Sequence, residues 1–345
     1  NLIDSIVHKL RLLNDELDTR EETDVRDILR ELRRRIREIE MVELHGISVL
    51  HYVGDDIRYM NKLIFRIHNE INLPLPQPSV ACICAPKIIY YSFHPLTNVI
   101  FVPLGEFKFL LHLPDAFHEL GHYVLFNRSN ALRLKGVSER YDYAIRLITD
   151  YYQKVLIQKT RETAPPQITE LIKLIHYQWK ESWINEFFCD LFALFTLGPA
   201  YAWSHLHLTM KKSEDIYRFS KVLPQTHPSD DSRMKILLIG LNESGFSKEA
   251  DEISSKWNDM PRVLNEEPVA GYQYAYPSNL MTDITRLFLE ALKDGDFSII
   301  YPDRLKDEKQ DKVVKILNDA WVLFWNDSEG YRDWEKKCIQ RLKVQ

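Results

Sequence analysis

The chain has 345 residues, 45% of them apolar and 28% charged, with a formal net charge of −5. That length and apolar content suffice for a core of two or three packed units, and the mild negative charge gives no electrostatic case for nucleic acid. Four cysteines without a paired spacing fit a reducing compartment better than a disulfide scaffold, so the expected location is cytoplasmic.

Residues 1–72 form a predicted N-terminal helical region. Ile28, Leu32, Ile36 and Ile39 recur at three to four residues, while Arg33, Arg34, Arg37 and Glu38 crowd the opposite face. That charge run reads first as a solvated face and second as a partner-binding surface. Leu73-Pro74-Leu75-Pro76-Gln77-Pro78 stops helix formation and marks a boundary. Beyond it, Val80 to Cys84, Lys87 to Phe93 and Val99 to Pro103 carry the β-branched and aromatic residues of strands. His94-Pro95-Leu96-Thr97-Asn98 joins the last two as a hairpin turn. Cys82 and Cys84 share a strand face and are expected as small core residues.

His118-Glu119-Leu120-Gly121-His122 spells H-E-x-x-H inside an apolar run from Ala116 to Phe126, which predicts one amphipathic helix. Residues i and i+4 lie about 40° apart around a helix, so both imidazoles leave from one face and can hold Zn²⁺. Glu119 sits about a third of a turn away, suited to take a proton from a metal-bound water. A buried helix with two satisfied histidines is the plain alternative. An inward His-Glu-His needs compensation, however, and a metal supplies it.

The extended pattern, with Gly and a third His further along the same helix, is not met: Leu125 and Arg128 stand at those positions. A third ligand has to come from elsewhere. Long helices are predicted near 139–160 and 168–198, separated by Ala164-Pro165-Pro166. In the second, Glu186 and Asp190 share a face of an otherwise apolar stretch, where carboxylates are costly unless paired or metal-bound. Glu186 is therefore the expected third ligand, and Asp190 the acceptor for a ligand imidazole N–H. Ordinary acids at a wet helix edge are the other reading, and neighbouring Cys189 reads as packing.

Further on, Thr226-His227-Pro228-Ser229-Asp230-Asp231-Ser232-Arg233 opens another helix, capped by Ser229 or Asp230. Arg233 shares the inward face of Ile236, Leu237 and Gly240, so its guanidinium calls for a carboxylate, with Asp190 a candidate. Gly271 to Pro277 reads as a packed aromatic loop or as a cleft lining. Helices near 279–294, 310–326 and 329–343 complete the chain. The opening residues do not read as a signal peptide. The most apolar run, Ile184 to Trp203, contains Glu186 and Asp190 and is no membrane span.

H-E-x-x-H followed by a helical E-x-x-x-D resembles the gluzincin class of zinc metallopeptidases. The H-P-x-x-x-x-R segment is similar to that of the heat-shock and prenyl-protein membrane proteases, and the resemblance spans about residues 98–240. It implies an α+β, mainly helical fold: a zincin-like catalytic core with a small β-sheet and flanking helices. The expected units are an N-terminal helical region over 1–72, the zincin-like domain over 79–242 and a C-terminal helical region over 243–345. By the resemblance, His118, His122 and Glu186 hold zinc, Glu119 is the general base, Asp190 orients a ligand, and His227 and Arg233 lie near the oxyanion.

The expected function is thus a zinc-dependent peptidase, an endopeptidase by preference, acting on a protein or peptide held along a sheet edge. Its rival is a catalytically silent zincin-fold binding or regulatory module with structural zinc, whose fourth protein ligand is His227 or Cys189. An intact Glu119 favours the enzyme. The flanking helices offer room for a regulatory partner or an oligomer contact.

Overall fold

The computed structural model describes residues 8, 11–12, 55–83, 91–95, 97–103, 106–212, 215–218, 220 and 225–344. The periodic stretch Ile28 to Ile39, Cys84 and the beginning of the strand expected from Lys87 lie outside the described residues. Among those described, the chain is α+β and mainly helical, with a three-stranded sheet.

Helix α1 (Asp55–Glu70) buries Tyr59, Met60, Leu63, Ile64 and Ile67, the three-to-four spacing that puts apolar side chains on one face. The proline-rich stretch then leads into β1 (Ser79–Ile83). Strand β3 (Val99–Pro103) lies between β1, which it pairs in parallel, and β2 (Ser92–His94), which it pairs antiparallel. All five residues of β3 are buried, as suits a central strand, whereas among the described residues β1 and β2 each pair with β3 alone. Asn98, with φ of 52°, turns the chain from β2 into β3.

Helix α2 (Asp115–Asn127) carries the H-E-x-x-H residues, and α3 (Lys135–Arg161) follows. The helix expected over 168–198 is divided into α4 (Pro166–Gln178), a π turn (Trp179–Trp183) and α5 (Ile184–Leu197). A π turn shifts the helical register by one residue. Trp179 and Trp183 are both fully buried, edge to face with centroids 6.2 Å apart, while Glu186 and Asp190 beyond the turn face α2.

Every residue of α5 from Glu186 to Leu197 is buried. A helix apolar on all sides belongs in an interior, and α5 is packed by α2, α6 (Pro199–Lys212), α7 (Asp230–Glu243) and α10 (Ser278–Asp294). Gly121 makes the α2–α5 approach close: a Cβ there would lie 2.8 Å from Cys189 Cα. Between α5 and α6, Gly198 takes φ of 93°. Asn318, on α12 (Val313–Asn326), closes this corner by accepting from Ala200 N–H at 3.0 Å and donating to the Leu197 carbonyl at 2.8 Å.

Helices α8 (Ser247–Leu264), α9 (Tyr272–Ala275), α11 (Pro302–Asp307) and α13 (Ser328–Val344) complete the described chain. The aromatic loop is packed: Tyr272 and Tyr276 are buried, and Tyr276 stacks on Trp183 with centroids 4.9 Å apart. Among the described residues, no helix is long and apolar enough to cross a membrane.

Candidate metal centre

The close α2–α5 packing brings side chains of two distant segments together. On α2, the His118 and His122 rings stand nearly perpendicular, with centroids 4.9 Å apart. From α5, Glu186 places Oε2 3.4 Å from His118 Nε2 and Oε1 3.7 Å from His122 Nε2. One ligand atom from each of His118, His122 and Cys189 lies within 4.8 Å of the other two. Exposed His227 reaches the same carboxylate, its Nε2 3.8 Å from Glu186 Oε1.

Behind this group lies a buried polar cluster. Asp190, with no exposed surface, accepts from Arg233 Nε at 2.8 Å and Nη2 at 2.6 Å, and from the Tyr201 hydroxyl at 2.6 Å. Its Oδ1 also lies 3.0 Å from His118 Nδ1. Arg233 thus directs its donors to Asp190 and Tyr201. Ser229, which caps α7 by accepting from Ser232 N–H, is itself buried against Tyr272 and Tyr276 and fixes the helix that delivers Arg233.

Electrostatics follow from burial and pairing. Burial works against a charged His118, but contacts with Asp190 and Glu186 outweigh it and raise its pKa to about 10. Burial would lift Glu186, yet neighbouring His118 draws it down to about 2. Asp190 stays far below the usual carboxylate range because Arg233 overcomes its burial. Burial lowers His122 to about 4, lifts Glu119 to about 7 and raises the Cys189 thiol well above its ordinary value. These values describe the protein without an ion.

The group opens onto a cavity of about 580 Å³, bounded by Phe93 of β2, by Glu119 and His122 of α2, and by His205 of α6. Glu119 accepts from the Phe93 N–H, while its Oε2 is buried without a hydrogen-bond partner. Glu186 Oε2 is likewise buried, near His118 but outside hydrogen-bond geometry. Buried oxygens in that state call for a cation or donor. Zinc bonds of about 2.0–2.1 Å at tetrahedral angles set donors about 3.3–3.4 Å apart, close to the Glu186–imidazole spacings. The side chains here fit a divalent metal.

Cys189 differs from its expected packing role, since it joins the converging donors. Its position three residues after Glu186 on one helix was the available signal. Tyr201 had none beyond being one tyrosine in an apolar segment. The donor group also corrects the gluzincin resemblance. That class binds zinc through two imidazoles and a carboxylate and leaves one position to water. Here the cluster of converging donors is two imidazoles and a thiol rather than two imidazoles and a carboxylate. The zinc-peptidase reading and its hydrolase activity, with Glu119 as general base, fall with it, and the donor chemistry is that of a structural site. No family model matches the sequence, and neither a curated protein nor a solved structure is significantly similar to it.

Proposed function

We propose that this chain is a binding or regulatory module on a zincin-like scaffold, in which zinc clasps α2 to α5. The observation that carries the reading is the convergence of His118 and His122 with Cys189, donors from two helices that meet nowhere in sequence. Glu186, 3.4 and 3.7 Å from the two imidazoles, completes a four-ligand set without water, the coordination number of a closed structural site. Mixed nitrogen and sulfur donors favour zinc, and a coordinating thiol gives up its proton to the ion. A reducing, cytoplasmic setting keeps such a thiol available. The partner is a protein segment entering the cavity beside β2.

Purified protein should carry one zinc per chain. Cobalt in its place should show a thiolate-to-metal charge-transfer band that Cys189→Ser removes. Free zinc at a hundredfold above its Kd should add about 2.7 kcal/mol to unfolding stability. Absence of bound metal overturns the reading, as does a metal without effect on stability. So does peptide hydrolysis by the zinc-loaded protein that Glu119→Gln abolishes.

A further inference from the structure

Tyr201 lies beside the metal centre without being one of its ligands, and it is 2% exposed. Its hydroxyl meets three groups: Asp190 Oδ1 at 2.6 Å, His118 Nδ1 at 3.0 Å and Arg233 Nη2 at 3.3 Å. A phenolic hydroxyl has one proton to give and lone pairs to receive with. Arg233 can only donate. Asp190, gripped by Arg233 on both oxygens, is a carboxylate and can only accept. The Tyr201 proton therefore goes to Asp190, and the oxygen receives N–H groups from Arg233 and from His118.

An imidazole that donates through Nδ1 leaves Nε2 for an ion, and Nε2 is the atom that faces Glu186 at 3.4 Å. The Tyr201 and His118 rings lie within 17° of parallel, with centroids 6.2 Å apart. Asp190 Oδ1 shares the same N–H at 3.0 Å, so the hydroxyl and carboxylate hold the ring from two directions. We propose that Tyr201 is a positioning residue of the metal centre, holding His118 in its Nδ1–H form with Nε2 turned to the ion. This inference rests on the metal-centre reading above.

The test combines Tyr201→Phe with nitrogen-15 NMR of the histidines in zinc-loaded protein. In the wild type, His118 should show a slowly exchanging proton on Nδ1 and zinc on Nε2. The variant should bind zinc about tenfold more weakly, the low end of what loss of such a supporting group costs, and exchange the Nδ1 proton faster. A purely structural role would lower the stability of the zinc-free protein and leave the Nδ1 signal unchanged. Unchanged affinity and exchange in the variant overturn the role of Tyr201 alone, whereas a wild type that binds no zinc overturns the underlying reading. Ligation by His118 through Nδ1 in the wild type also overturns the inference, even if the variant does not fold.

Discussion

Replacing Gly121 by alanine adds one methyl group at the tightest point between the two helices that carry the metal donors. That Cβ would lie 2.8 Å from Cys189 Cα, 3.1 Å from its Cβ and 3.2 Å from its Sγ. Carbon atoms settle at about 3.5–4.0 Å, so α2 and α5 must part by roughly 0.7 Å or more. Overpacking of this kind costs about 1–3 kcal/mol, and exchanging glycine for alanine inside a helix returns about 1 kcal/mol. The metal-free variant should therefore lose up to about 2 kcal/mol. The metal-bound form should lose more, because coordination distances tolerate only about 0.2 Å. Zinc affinity should fall at least about tenfold, or 1.4 kcal/mol. Urea unfolding with chelator and with excess zinc, together with competition against a chromophoric chelator, measures both quantities. Unfolding midpoints and zinc affinity that match the wild type would refute the claim that close helix approach builds the site.

Arg233→Met leaves the fully buried Asp190 without its bidentate partner. Breaking a buried pair on one side costs about 3–5 kcal/mol, which denaturant unfolding should register as a loss of that size; a loss below 1 kcal/mol would show that the pair is solvated. The pH dependence of the metal-free protein has a definite sign. The folded pKa of His118 is raised to about 10, so its contribution is complete below the unfolded value of about 6.5 and fades as pH rises toward 10. Glu119, raised to about 7, also favours the protonated fold and loses its advantage as pH climbs from about 4.5 to 7. Glu186 acts oppositely, its contribution lost as pH falls from about 4.5 toward 2. Urea midpoints in chelator should therefore decline from pH 6.5 to 10; a rising or flat profile would contradict the assigned pairings.

What was legible in the sequence follows from how each feature is encoded. H-E-x-x-H sets two imidazoles on one helical face by local geometry alone, and the apolar run around Glu186 and Asp190 announces an interior helix because only a buried helix dispenses with a polar side. The small sheet showed in its β-branched residues, with β2 pairing over Ser92–His94 among the described residues. The π turn was hidden, since Trp179 and Trp183 also suit an unbroken helix and the register shift arises from tertiary packing. Cys189 was misjudged for a similar reason: a thiol among phenylalanines looks like filling until the partner helix is seen to bring two histidines beside it. Tyr201 acquires its meaning only from three residues on three other helices.

The clip that Asn318 makes at the α5–α6 corner bears on how the molecule is born. Ala200 and Leu197 wait for a side chain encoded more than a hundred residues later. During synthesis these two groups lack that partner until the segment carrying Asn318 has been made. The corner between α5 and α6 is thus closed by a contact of long sequence separation, the kind that forms slowly because a large loop must be gathered first.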